Sequence, residues 1–133
     1  MGRLHHVPAE AVSAGTAQTS GMSRFAAISG DAVGARAIWM GRTHVAPGAT
    51  SGPHHHGHSE TAIYVVSGTP AFIYEQDGEE VRIETRPGDF VYVPPFVAHV
   101  ESNAGSDEEA VVVIARSTQE AIVVNLDGLS PAG

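Results

Sequence analysis

Cysteine is absent from the chain of 133 residues. Neither a disulfide framework nor a thiolate metal site is therefore possible. Long apolar runs are missing too, and none approaches the length of a membrane span. The opening segment MGRLHHVPAEAV has no apolar leader region, so a cytoplasmic protein is the expectation. His5 and His6 in that segment read as surface residues. Basic side chains are scarce, seven against fifteen acidic ones, for a formal net charge of −8. Such a surface favours solubility and argues against nucleic acid and anionic membranes as partners. Convincing helical periodicity is lacking, as are internal repeats and low-complexity segments.

What is present is punctuation. Fifteen Gly and eight Pro are scattered along the chain, which fits many short strands joined by turns. Residues 1–22 read as an arm with a short strand around residues 4–7. Residues 23–126 read as a single domain and residues 127–133 as a tail. Strands are predicted at 24–29, 35–45, 61–67, 71–76, 79–86, 90–93, 98–102, 110–115 and 121–126, with a turn at Gly30-Asp31. Asp77-Gly78 between two alternating runs is a strong hairpin signal. In the run after it, Val81, Ile83 and Thr85 face one way and Arg82, Glu84 and Arg86 the other. Residues 117–121 have room for one helical turn. Nine or ten close-set strands mean an all-β barrel or sandwich. A barrel with inward-pointing ligands accounts for the gathering of His and Glu on two strand-turn units.

The first of those units is GATSGPHHHGHSETAIYVVSG, residues 48–68. In an extended chain His54 and His56 share a face and His55 takes the other. Gly57 lets the chain bend before Glu60 returns to the site. The second unit is PGDFVYVPPFVAHVESN, residues 87–103, where His99 follows the break at Pro94-Pro95. Three imidazoles and one carboxylate make a ligand set for a divalent transition metal, with room left for solvent or substrate. His55 faces away and His58 is solvated in the bend. His58 becomes the substitute ligand if Glu60 is displaced.

These units resemble the two motifs of the cupin superfamily. The first motif reads Gly, five residues, His-x-His, three or four residues, Glu, six residues, Gly. Gly48, His54, His56 and Glu60 match it, but Gly68 follows Glu60 after seven residues, one more than the pattern. The second reads Gly, five residues, Pro-x-Gly, two residues, His, three residues, Asn. Gly88, Pro94, His99 and Asn103 match, with Phe96 where the Gly belongs, so a different turn is expected there. The resemblance implies a double-stranded β-helix (jelly-roll) barrel with His54, His56, Glu60 and His99 on one divalent ion: Fe, Mn, Ni or Zn.

That resemblance spans diverse chemistries, so function is argued from the site. The leading expectation is a metalloenzyme acting on a small organic molecule, of dioxygenase or Lewis-acid isomerase, cyclase or lyase type. The alternative is a non-catalytic module that binds a metal or small ligand, and a third is a vestigial structural domain. Glu101, two residues after His99, shares its face in a regular strand and is the candidate general acid–base. The apolar lining is expected from among Ile38, Met40, Ile63, Phe72, Phe90, Tyr92 and Val100. Tyr64 and Tyr92 are expected in the core or wall, Arg42 and His44 at the cavity mouth, and Trp39 in the core or an interface. A homodimer is expected, paired through residues 121–126 and the N-terminal arm.

Overall fold

The computed structural model describes residues 2–130. Ten strands run β1 (Met22–Ile28), β2 (Trp39–Val45), β3 (His54–His55), β4 (Thr61–Ser67), β5 (Ala71–Gln76), β6 (Glu79–Glu84), β7 (Phe90–Val93), β8 (Val100–Ser102), β9 (Ala110–Arg116) and β10 (Val124–Asn125). One antiparallel sheet has the order β1-β2-β9-β4-β7. The facing layer is built from the sheet β6-β5-β8 and the pair β10-β3. Single bridges, His54 to His99 and Thr50 to Ser102, join those two pieces, so the layer reads β6-β5-β8-β3-β10. The result is a jelly-roll barrel, a double-stranded β-helix.

Period-two alternation decides what faces in. In β4, Thr61, Ile63 and Val65 are buried while Ala62, Tyr64 and Val66 are exposed. In β2, Trp39, Gly41, Thr43 and Val45 are buried. Ile63, Val65, Phe72, Val93 and Val112 form the main core, with Val91, Val97 and Ile114 packed against it. Burial of such side chains removes apolar area from water and supplies most of the stabilisation. The Asp77-Gly78 hairpin has positive φ at both residues (53° and 81°), the signature of a type I′ turn.

Several expectations are corrected. Residues 4–7 form no strand, and the arm instead carries a short 3-10 turn at Ala9–Ala11. Gly30–Val33 is a single helical turn, capped by Ser29 Oγ on the Ala32 N–H and ended by Gly34 at φ 74°. Residues 117–121 are not helical. The C-terminal run shortens to β10 and pairs inside the chain with β3, extended by the Leu126 N–H donating to Pro53 O. Residues 124–125 therefore cover the edge of β3. Among the described residues, no helix is long and apolar enough to cross a membrane.

Candidate metal centre

The segment after Pro53 enters β3 extended, which puts His54 and His56 on one side. Gly57, at φ 57°, then turns the chain toward β4. His99 enters from the opposite chain direction. Its N–H donates to His54 O at 2.9 Å, and the His54 N–H donates to His99 O at 3.1 Å. This bridge fixes the two motifs side by side. One ligand nitrogen from each of His54, His56 and His99 lies within 4.8 Å of the others.

Each ring is held by a backbone carbonyl. His54 Nδ1 meets Gly52 O at 2.8 Å, His56 Nδ1 meets Ile122 O at 2.9 Å, and His99 Nδ1 meets Val97 O at 3.0 Å. A carbonyl only accepts, so each Nδ1 carries the proton and each Nε2 keeps a lone pair. Burial lowers the pKa of all three rings, that of His99 to about 4. The backbone bonds oppose this shift without cancelling it. Three neutral imidazoles with oriented, tautomer-fixed rings are the chemistry a divalent transition ion requires, so the residues fit such a group.

Glu60, expected as the fourth ligand, is not brought to this cluster. It is exposed and its carboxylate accepts from Tyr92 Oη on the outer face. The inward position at the start of β4 is Thr61, and Thr61 lines the cavity. The reason is phase. With four residues intervening after His56 the next position is Thr61, and six further residues separate Thr61 from Gly68. The one-residue excess before Gly68 was the mark of this slip, which moves a side chain to the opposite face. Gly68 fixes that phase from its own end: its φ is 79°, and a Cβ there would come within 2.7 Å of Ala110 Cα. His58 is exposed in the bend and replaces nothing.

A cavity of about 370 Å³ opens on the three rings. Glu101 lines it from β8, on the same face as His99. Its carboxyl is buried, with Oε1 unpartnered, and burial pushes its pKa up to about 7 against the pull of Arg24. Of the expected lining, Ile63 is in place. Phe72 lies in the core and Val100 is half-buried. Met40, Phe90 and Tyr92 are exposed, because the alternation of their strands sends the neighbouring residues inward, and Ile38, just before β2, is exposed too. Tyr64 is likewise outside, against Phe90 with ring centroids 4.8 Å apart. Arg42 lies over Phe25 and His44 pairs with Glu109 at 3.0 Å, both away from the cavity. Trp39 is buried and forms part of the wall.

The sequence reading missed Arg24, Arg116, Gln18, Thr19 and Ile122, which all line the cavity. For Arg24 a signal existed: it alternates with Met22 and Ala26, both buried, so a cation sits on the inward face of β1. For the Ile122 carbonyl there was none, since backbone acceptors leave no trace in residue type.

The cupin-domain family model matches residues 41–115. The chain belongs to the cupin family. Among solved structures this cupin is similar to the Mn(II)-containing oxalate decarboxylase of Bacillus subtilis, at 23% identity and a TM-score of 0.69, over 82% of this chain and 29% of that one. It is also similar to an oxalate oxidase in complex with the substrate analogue glycolate, at 20% identity and a TM-score of 0.68, over 86% of this chain and 59% of that one. A third is the oxalate decarboxylase of Lactobacillus farciminis in its formate complex, at 17% identity and a TM-score of 0.68, over 83% and 32% of the two chains. These likenesses establish the fold, and the chain spans less than two thirds of each neighbour's length. No curated protein matches the sequence.

Proposed function

We propose that this cupin is a metal-dependent enzyme acting on a small organic molecule, by oxygenation or by Lewis-acid isomerisation, cyclisation or elimination. The observation that carries the reading is the backbone clamp on His54, His56 and His99, which leaves a lone pair on each of three rings whose ligand nitrogens lie within 4.8 Å of one another. A divalent ion there supplies a Lewis acid or a redox centre. The three histidines would hold it, and the neutral Thr61 leaves positions beside it for water and substrate. The Mn(II) centres of the Bacillus subtilis neighbour support a redox-capable ion.

Glu101 gives the enzyme reading its acid–base group. A buried carboxyl whose pKa lies near 7 carries a proton part of the time at neutral pH, which suits both taking and returning one. Ile63, Ile114 and Trp39 give the same cavity apolar walls.

The test begins with elemental analysis of protein purified without added metal, where about one transition ion per chain is expected. The His99→Ala protein should lose the ion and retain its β-sheet circular dichroism. The Glu101→Gln protein should keep the ion and lose turnover by about 10²-fold or more on whichever substrate an oxygen-uptake and isomerisation screen identifies. Parent protein that takes up no ion, even when one is offered, would sink the reading.

A further inference from the structure

The charge inside the cavity is not balanced. Besides the histidines, three ionisable side chains among the described residues line it: Arg24, Arg116 and Glu101. Arg116 is committed to the fold. Its Nε donates to Thr118 O at 3.0 Å, its Nη2 donates to Gln119 O at 2.7 Å, and the guanidinium lies 4.0 Å from the Trp39 ring centroid. Arg24 is differently placed. Its Nη1 donates to Thr19 Oγ1 at 2.7 Å, and among the described residues it forms no ion pair. Its backbone is clamped by Gln18, whose Oε1 accepts from the Arg24 N–H and whose Nε2 donates to Arg24 O, both at 2.8 Å. The N-terminal arm thus holds a guanidinium toward the cavity with most of its donors unused.

The inward end of β4 adds to the imbalance. Thr61 stands there and Glu60 is outside, so three neutral imidazoles are left to hold a dication whose charge stays unquenched. A ligand entering this space meets positive charge on two sides, with Glu101 the one carboxylate lining it among the described residues. Oxygen anions suit a hard divalent ion, and a guanidinium fork matches a planar carboxylate through two parallel hydrogen bonds. A cavity of about 370 Å³ accommodates only a small molecule.

Resting on the metal-centre reading above, we propose that the cavity takes a small chelating anion, a carboxylate with a second oxygen on the adjacent carbon, and that Arg24 is the residue that selects for its charge. Ile114 and Ile122 line the space left for the rest of the molecule.

The test uses the full chain loaded with Co(II), whose visible absorption reports on ligands entering beside the histidines. The probes are pyruvate, its neutral analogue hydroxyacetone, and acetate, which has the charge without the second oxygen. Pyruvate should shift the spectrum saturably, with hydroxyacetone and acetate at least about tenfold weaker. Arg24→Leu should bind Co(II) as the parent does, weaken pyruvate about tenfold or more and leave hydroxyacetone unchanged. Arg24→Lys should recover part of the loss, and Thr61→Glu should weaken pyruvate by restoring a carboxylate at the centre. Equal pyruvate binding by the parent and Arg24→Leu, or equal affinity of the parent for pyruvate and hydroxyacetone, would overturn the assignment to Arg24. Failure to take up Co(II) at all would overturn the metal-centre reading, and this proposal with it. If Arg24→Leu alone fails to load, the comparison passes to Arg24→Lys. Weaker pyruvate with unchanged hydroxyacetone then supports the proposal, and unchanged pyruvate overturns it.

Discussion

Phe96 occupies the position where the second motif carries glycine, and it keeps the backbone conformation a glycine would have, with φ at 61°. The turn is imposed from outside: the Phe96 N–H donates to Gly57 O at 2.8 Å, and the ring lies 5.7 Å from that of His55. A left-handed conformation costs an L-residue roughly 1–2 kcal/mol. Phe96→Gly releases that strain, loses one exposed ring contact and makes the unfolded chain more flexible by about 0.5–1 kcal/mol. The expected outcome is a neutral to stabilising substitution, up to about 1 kcal/mol, read from the urea midpoint. A clear loss of stability would mean that the ring against His55 outweighs the strain.

At the scale of the element, β2 shows how one small residue shapes the cavity wall. Gly41 is buried in mid-strand, and the Trp39 ring folds over it: a Cβ on Gly41 would lie 2.5 Å from Trp39 Cη2 and 2.5 Å from Phe25 O. Gly41→Ala must push Trp39 off its own strand or part β1 from β2. Overpacking of this kind costs roughly 1–3 kcal/mol. Trp39 is the chain's one tryptophan, so its emission should shift in the folded variant as the ring leaves its buried position. Parent-like emission together with an unchanged urea midpoint would show that the strand gives way at no cost.

For the whole molecule, stability should respond to acid through groups that pull in opposite directions. The folded pKa of His99 is lowered to about 4, against about 6.5 unfolded. Between those values the unfolded chain takes up protons that the fold refuses, so stability present above pH 6.5 is lost as pH falls toward 4. His54 and His56 act in the same direction. Glu101 has the opposite sign. Its folded pKa of about 7 exceeds the ordinary 4.5, so the fold gains stability as pH falls through that window. Each unit corresponds to about 1.4 kcal/mol, so Glu101 offsets roughly 3 kcal/mol of the histidine loss. In metal-free protein kept in chelator, Glu101→Gln should therefore lose stability more steeply than the parent between pH 7 and pH 4.5. Parallel profiles would show that Glu101 does not retain its proton in the metal-free fold.

The sequence by itself determined the β class, the hairpin at Asp77-Gly78 and the strands at 61–67, 71–76 and 90–93. These follow from local alternation and turn chemistry, which neighbouring residues decide among themselves. It also singled out the three histidines the structure brings together, because His54 and His56 share a face by parity and His99 lies on the motif after a proline break. What the tertiary structure decided was phase and company. Whether Glu60 or Thr61 points inward depends on where β4 docks between β9 and β7, a register set by partners distant in sequence. The placement of residues 124–126 beside β3 and the acceptor that Ile122 offers His56 are likewise long-range contacts. They depend on burial and on backbone groups that carry no residue identity, so no local pattern could encode them.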